Sequence, residues 1–283
     1  MHAHAVILGS PERVWALRVE PFGLFVAIGV GLGVLLAARL AERNGLPPRE
    51  GLTALVAALA ASLIGARVVY LLGASRVSLR EALAVGHGGL SGYGALFGAA
   101  AAAVIVLRRS RWLAAWLDVG ALGALAAIAI GRLGSELAGS DFGRALGEGA
   151  PRWLARLGSF PRPSGELTPV WAVHALRGSV NMGSLTTPAL HPIALYEALG
   201  VLALLATLLA LLSRQRRRGQ SFAIALCALA VLRFGLDGLR DDAERGKLGS
   251  FSLNRVAAVT SVLSFVAGVA LARERRAQRA SSN

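Results

Sequence analysis

The chain has 283 residues, of which 55% are hydrophobic and only 16% are charged. Soluble globular domains carry about 25% charged residues, so this composition argues against a soluble protein and predicts a membrane protein. The formal net charge of +14 is compatible with nucleic-acid binding. However, the arginines form short clusters between apolar stretches, which is typical of membrane topology rather than of a nucleic-acid partner.

Seven stretches of the chain are apolar and long enough to cross a bilayer, which takes about 20 helical residues. They are residues 21–40, 52–73, 90–107, 112–133, 192–212, 221–239 and 251–272. We therefore predict an all-α integral membrane protein with about seven transmembrane helices, in which residues 1–283 form a single membrane domain.

The first predicted helix contains three closely spaced glycines, Gly29, Gly31 and Gly33. A glycine-rich nucleotide-binding loop follows a strand and opens a helix, whereas these glycines lie inside an apolar helix. The pattern therefore favours close packing against another helix, which small residues permit in membranes.

Residues 134–190 connect the fourth and fifth predicted helices and are too polar to span the bilayer. We predict that they form an extracytoplasmic insertion, or cap, in which Trp153 and Trp171 lie at the membrane interface, where tryptophan is enriched. Residues 273–283 are charged and are predicted to form a cytoplasmic tail.

The distribution of basic residues among the loops predicts the orientation of the chain. The first, third and fifth loops, the C-terminal tail and Arg39 at the adjoining end of the first helix together contribute fourteen arginines, whereas the N-terminal segment and the short second and sixth loops contain seven basic residues. Cytoplasmic loops carry the excess of positive charge. The N-terminus and residues 134–190 are therefore predicted to lie outside, and the C-terminus in the cytoplasm.

Several ionisable side chains fall within the predicted helices, where they are costly and usually functional. Most are predicted to lie in the outer half of the membrane: Arg67, Tyr93, Arg132, Tyr196, Glu197, Arg233 and Asp237. A basic pocket at this depth suits an anionic lipid headgroup, because arginine donates paired hydrogen bonds to phosphate. The alternative is that the arginines extend towards the interface or pair with Glu197 and Asp237. The spacing of histidines and acids predicts no metal site.

Five segments of the chain match, in order and spacing, the motifs of a known enzyme family. They are GARVVYLLG at 65–73, GGLSGYGALFG at 88–98, GRLGSELAGSDFGR at 131–144, HPIALYEAL at 191–199 and RFGLDGLRDD at 233–242. Together they resemble the motifs of the prolipoprotein diacylglyceryl transferase family, and the third segment resembles its signature.

This resemblance implies an enzyme of the bacterial cytoplasmic (inner) membrane that acts in lipoprotein maturation. Such an enzyme transfers the diacylglyceryl group of phosphatidylglycerol to the lipobox cysteine of a preprolipoprotein, forming a thioether and releasing glycerol phosphate. The implied partners are phosphatidylglycerol, the lipobox peptide and the lipid bilayer, with no nucleic acid and no cofactor.

The resemblance also implies roles for individual residues. Arg132 and Arg233 match the key arginines of the family and are assigned to the lipid phosphate. Tyr93 occupies the position of a motif histidine, where it either takes part in acid–base chemistry or orients the headgroup. The remaining positions expected to contact or position substrate are Arg67, Gly131, Gly134, Ser135, Asp141, His191, Tyr196, Glu197 and Asp237.

The signature departs from the family pattern at three positions. Ser135, Ala138 and Ser140 replace two asparagines and a glutamate, and Asp141 lies next to the missing glutamate. Two interpretations follow: a divergent enzyme with the same activity, or a non-catalytic relative that binds anionic phospholipid or a lipoprotein. A small-molecule transporter is a third interpretation, but the sequence lacks the paired repeats and the polar path through the whole membrane that transporters often have.

Overall fold

A computed structural model describes residues 6–8, 17–19, 21–73, 91–163, 167–181, 183–212, 218–241, 247–248 and 251–252. Within these ranges there are eight α-helices and two short antiparallel strand pairs. The helices are α1 (Pro21–Arg43), α2 (Pro48–Gly73), α3 (Gly92–Leu107), α4 (Leu113–Ala138), α5 (Arg152–Leu157), α6 (Pro169–Leu176), α7 (Ile193–Leu211) and α8 (Gln220–Asp237). The strand pairs are β1 (Val6–Leu8) with β2 (Leu17–Val19), and β3 (Lys247–Leu248) with β4 (Phe251–Ser252).

The helices confirm the predicted all-α membrane architecture. Helices α1, α2, α4, α7 and α8 are long and apolar enough to cross a membrane, and α3 is a shorter apolar helix. These six helices correspond to the first six predicted stretches. The seventh stretch, 251–272, begins with strand β4 rather than a helix, and its other residues lie outside the described ranges.

Helix α4 continues to Ala138, five residues beyond its predicted end at residue 133. The chain leaves the helix at Gly139, whose φ of 61° lies in the left-handed region. The Gly139 N–H donates to the Glu136 carbonyl and the Ser140 N–H donates to the Ser135 carbonyl, which is a glycine-terminated helix end. The sequence becomes polar from about residue 134, and this set the predicted end of the helix. The helical backbone hydrogen bonds continue to Gly139.

The chain divides into two compact units. The first unit comprises residues 1–37, 122–211 and 235–243, and the second comprises 38–121, 212–234 and 244–283. Helices α1, α4 and α8 contribute residues to both units, whereas α2 and α3 belong to the second and α5, α6 and α7 to the first.

In the first unit, two of the three glycines of α1 allow a close approach to α4. A Cβ at Gly29 would lie 2.7 Å from the Ala127 carbonyl oxygen, and a Cβ at Gly33 would overlap the backbone of Gly123. At Gly31 a Cβ would meet no described atom within 4 Å. The predicted helix packing is confirmed for Gly29 and Gly33, but not for Gly31.

The segment between α4 and α7 has its own apolar core, which belongs to the first unit. This core consists of Phe142, Phe160, Val170, Trp171 and Leu190. The Trp171 ring is buried and its Nε1 donates to the carbonyl oxygens of Phe160 and Pro161. The Trp171 ring therefore fills this core, whereas Trp153 is 64% exposed. The position of either ring relative to a membrane stays a prediction.

An extended stretch at residues 142–146 holds three parts of the first unit together. The Gly143 N–H donates to the His191 carbonyl at 3.0 Å, and the Arg144 N–H donates to the Leu239 carbonyl at 2.9 Å. A Cβ at position 143 would lie 2.6 Å from the His191 Cβ and 2.8 Å from the Leu239 oxygen. Only glycine fits between these two backbones, so the last glycine of the signature has a steric role.

In the second unit, α2 packs along α3 through glycines. A Cβ at Gly94 would overlap the backbone of Gly65, and a Cβ at Gly98 would overlap that of Ala61. Ser91 caps α3 by accepting the Gly94 N–H at its hydroxyl. These contacts fix the first turn of α3, which carries Tyr93.

The start of α8 is capped by a carboxylate from a distant part of the chain. The Gly219 N–H donates to Asp118 Oδ2 at 2.6 Å, and the Phe222 N–H donates to Asp118 Oδ1 at 2.9 Å. Helix starts leave several N–H groups unpaired, and Gly219 has no side chain to accept them. Asp118 therefore supplies the missing cap from α4.

Candidate functional site

Arg132 lies in a buried network of ion pairs in the first unit. Its Nη1 is 2.6 Å from Asp141 Oδ2, and its Nε is 3.0 Å from Glu197 Oε2. The side chain of Asp141 is 3% exposed and that of Glu197 is 1% exposed. Two carboxylates at fixed positions therefore hold the guanidinium in one orientation.

Arg240 is the second cation of this network. Its Nη2 is 2.5 Å from Asp141 Oδ1, and its Nη1 is 4.0 Å from Glu197 Oε2. Asp141 thus bridges two arginines with its two oxygens. The formal charges of the two arginines, Asp141 and Glu197 sum to zero, which reduces the cost of burying all four groups.

The fold explains why these four residues meet. Arg132 is on α4 and Glu197 is in the second turn of α7, while Asp141 directly precedes the extended stretch at 142–146. Arg240 follows α8 and forms an isolated bridge with Gly143. Backbone hydrogen bonding therefore brings Arg240 and Asp141 together, although 99 positions separate them in sequence.

The other predicted site residues of the first unit have contacts of their own. His191 Nδ1 lies 3.3 Å from the Tyr196 hydroxyl, so Tyr196 contacts His191 in the turn before α7, whereas Glu197 makes the expected contact with an arginine. Ser135 is buried and its carbonyl accepts the Ser140 N–H. Asp237 is the last residue of α8 and is half-buried.

The two glycines expected near substrate, Gly131 and Gly134, both face α1. A Cβ at Gly134 would lie 2.5 Å from the Phe25 Cβ, and a Cβ at Gly131 would lie 3.5 Å from a Val26 methyl carbon. Gly134 therefore permits close packing of α1 on α4.

The predicted site residues of the second unit are held by aromatic rings. The guanidinium carbon of Arg233 lies 4.7 Å from the centroid of the Tyr93 ring, at a distance typical of a cation–π contact. The Tyr93 ring also stacks with Phe97 at 6.4 Å between centroids. Arg67 lies 5.4 Å from the ring of Tyr70, one turn further along α2.

Two ionisable residues near Arg132 or its partners, Arg240 and Glu136, were not among the predicted site residues. Arg240 was detectable because it matches an arginine of the fifth motif. Glu136 was detectable as an acid one turn after Arg132 in an apolar helix. The Leu195 N–H faces the Glu136 carboxyl, but neither carboxylate oxygen meets hydrogen-bond geometry with a described residue. Glu136 thus brings a third carboxyl close to Asp141.

The electrostatics of the segment between α4 and α7 include a buried histidine, His174. Its Nδ1 lies 3.1 Å from the Ser179 hydroxyl, and burial lowers the pKa of the imidazole, as does the nearby Arg177 guanidinium. Arg177 itself forms an exposed ion pair with Asp241 at 2.6 Å.

Across the described ranges, no three His, Cys, Asp or Glu side chains form a group that could hold a metal ion.

Comparison with known proteins gives a consistent result along most of the chain. A family model described as prolipoprotein diacylglyceryl transferase matches residues 13–273. A protein of Lactiplantibacillus plantarum named phosphatidylglycerol–prolipoprotein diacylglyceryl transferase is 29% identical over 270 residues, covering 92% of this chain and 86% of its own. Proteins with the same name from Geobacillus kaustophilus (31% over 262 residues; 91% and 88%) and Symbiobacterium thermophilum (28% over 261 residues; 90% and 89%) are similarly related.

Proposed function

This chain belongs to the prolipoprotein diacylglyceryl transferase family, and we propose that it transfers the diacylglyceryl group of phosphatidylglycerol to the lipobox cysteine of preprolipoproteins. Both substrates are those in the names of its relatives. The multi-pass helices agree with a substrate drawn from the bilayer. The family resemblance implies the bacterial inner membrane, and the arginine distribution supports an orientation with the N-terminus and residues 134–190 outside and the C-terminus in the cytoplasm.

The observation that carries this proposal is the buried network around Arg132. The signature has lost its glutamate at Ser140, but the adjacent Asp141 contacts both Arg132 and Arg240. The shifted acid thus provides a carboxylate for the signature arginine. This favours a divergent enzyme over a relative that has lost the site.

The reaction forms a carbon–sulfur bond and breaks a carbon–oxygen bond. The cysteine thiol loses its proton, since the thiolate is the nucleophile. The sulfur attacks the carbon of the diacylglyceryl group that is bonded to the phosphate oxygen, the electron pair of the broken C–O bond leaves with glycerol phosphate, and the thiol proton passes to solvent. Arg132 and Arg233 are assigned to the phosphate, where prepositioned cations stabilise the charge that develops on the leaving oxygen.

The remaining residues position these groups. Asp141 and Glu197 orient Arg132, and the Tyr93 ring orients Arg233 through the cation–π contact. Arg67 is assigned to the lipid headgroup as a third cation. His191 and Tyr196 fix the entry into α7, and with it Glu197.

The test is a transfer assay with the purified chain in phosphatidylglycerol vesicles. A lipobox peptide is added, and its mass is measured, with a cysteine-to-serine peptide as the substrate control. We expect a diacylglyceryl adduct from the wild-type chain and a loss of roughly a hundredfold in rate for Arg132→Ala and Arg233→Ala. Arg156→Ala, which removes an exposed arginine of α5, is the matched control and should retain full activity.

Two results would contradict these assignments. Full activity of both arginine variants would show that the phosphate is bound elsewhere. If the wild-type chain gives no adduct while a conventional transferase is active in parallel, the chain is a lipid- or lipoprotein-binding relative.

A further inference from the structure

We propose that the chain binds a second anionic phospholipid at a site formed by Arg111, Trp112 and Arg218, in the second unit and apart from the residues assigned to transfer. The guanidinium carbons of Arg111 and Arg218 lie 5.0 and 4.4 Å from the centroid of the Trp112 ring. One indole ring therefore holds two arginines that are 107 positions apart in sequence.

The backbone that carries this ring is held by a small hydrogen-bond network. The Ser110 hydroxyl accepts the backbone N–H of Trp112 at 3.0 Å and donates to Glu50 Oε2 at 2.5 Å. Helices α3 and α4 are joined at this turn, and Asp118 ties the start of α8 to the first part of α4. The ring and its two arginines therefore lie at the same end of three helices.

The charges around the ring favour an anion. Arg108 and Arg109 lie in the same turn, and both are exposed, as are Arg111 and Arg218. Among the described residues, no carboxylate lies within salt-bridge distance of Arg111 or Arg218. A guanidinium stacked on a ring keeps its N–H groups at its edge, where they donate paired hydrogen bonds to phosphate oxygens.

The adjoining surface favours a lipid over a soluble phosphate. The last turn of α3 directly precedes Arg108 and exposes Val104, Ile105 and Val106, of which Ile105 is 63% exposed. Acyl chains can lie along this apolar surface while the headgroup contacts the arginines. Tryptophan is also enriched at the level of lipid headgroups. The proposed orientation assigns this end of the helices to the cytoplasmic leaflet, which is rich in anionic lipid.

This inference is independent of the transfer reaction and is tested by native mass spectrometry of the full chain in a neutral detergent. The probes are phosphatidylserine and phosphatidylcholine with the same acyl chains. We expect phosphatidylserine to bind at least tenfold more tightly. Arg111→Gln and Arg218→Gln should each weaken phosphatidylserine binding roughly fivefold, and Trp112→Leu should weaken it although every charge remains.

Matched variants distinguish a built site from general surface charge. Arg109→Gln removes one arginine of the same turn that does not contact the ring, and binding should change less than twofold. Arg156→Gln removes an exposed arginine of α5 in the first unit, and it should leave this preference intact. The Arg218→Gln chain should keep the wild-type melting temperature, because the arginine is exposed.

Three results would overturn the proposal. In the first, the chain carrying both Arg111→Gln and Arg218→Gln retains its preference for phosphatidylserine. In the second, Arg109→Gln weakens binding as much as Arg111→Gln does, which indicates diffuse attraction. In the third, free glycerol phosphate displaces the lipid at equal concentration, which indicates a site for a soluble phosphate.

Discussion

Arg132 in the first unit and Arg233 in the second are both assigned to the lipid phosphate in the proposed function, but the contacts described for them differ in kind. Arg132 is fixed by two buried carboxylates at 2.6 and 3.0 Å. Arg233 lies over the Tyr93 ring at 4.7 Å. Ion pairs with carboxylates are directional and bring negative charge, whereas an aromatic ring attracts a cation through its quadrupole and brings no net charge.

The two sites should therefore fail in different ways. The first-unit network depends on a chain of buried charges, so removal of one member leaves its partners inadequately paired. The second-unit contact depends on the presence of a ring face, so it tolerates changes that preserve the ring. Substitutions in each unit separate these two behaviours.

The largest effect is expected from Gly143→Ala, which attacks the backbone that carries the first-unit network. The added Cβ would lie 2.6 Å from the His191 Cβ and 2.8 Å from the Leu239 carbonyl oxygen, so the extended segments must separate. Overpacking of this kind costs about 1–3 kcal/mol or more, and here it also breaks hydrogen bonds. We expect little folded protein, measured by size-exclusion chromatography and thermal unfolding in detergent. A Cβ at position 147 would have no described atom within 4 Å, so Gly147→Ala should behave like wild type. Equal stability of the two variants would refute the steric role of Gly143.

The next effect concerns Asp141, the carboxylate that bridges Arg132 and Arg240. Asp141→Ala should reduce the free energy of unfolding by about 3–5 kcal/mol, because buried arginines lose a paired charge. Transfer activity should fall with it. Asp241→Ala breaks the exposed ion pair with Arg177, in which both side chains are more than a third exposed, and should cost less than about 1 kcal/mol. Similar melting temperatures for the two variants would mean that the buried network contributes little.

A smaller effect separates the ring of Tyr93 from its hydroxyl. Tyr93→Phe keeps the ring face and should retain transfer activity within about threefold, whereas Tyr93→Ala removes the cation–π contact and should lose roughly tenfold. The measurement is the transfer rate at saturating peptide, with the melting temperature as a folding control. If Tyr93→Phe is as inactive as Tyr93→Ala, the hydroxyl takes part in proton transfer and the ring is not the main contribution.

The smallest effect is a pH dependence that we expect from His174 in the first unit. Burial lowers the pKa of this imidazole below its usual value of 6.5. As the pH falls below about 6.5, the unfolded chain therefore binds the proton first, and the free energy of unfolding decreases until the pH passes the lowered pKa. Melting temperatures at pH 5 and pH 8 should differ less in His174→Gln than in wild type, and an unchanged difference would assign the pH dependence to other groups.

Some features of the candidate site could be predicted from the sequence, and others could not. The placement of Glu197 near an arginine followed from its helix and its depth. The contact of the preceding residue, Tyr196, whose hydroxyl lies beside His191, could not be predicted in this way. Hydropathy indicated where α4 loses its apolar character but not its end at Ala138, because the helix ends through hydrogen bonds at Gly139.

The sequence by itself determined the membrane-spanning helices and the family. Both depend on residues close together in the chain: hydropathy is a sum over a window of about 20 residues, and motifs are short. Only the tertiary structure decided which charges meet. Asp141 pairs with Arg240 and Asp118 caps α8 across 99 and 101 positions respectively. Ion pairs and caps act over a few ångströms, so their partners are fixed by the packing of distant segments, which no local pattern in the sequence specifies.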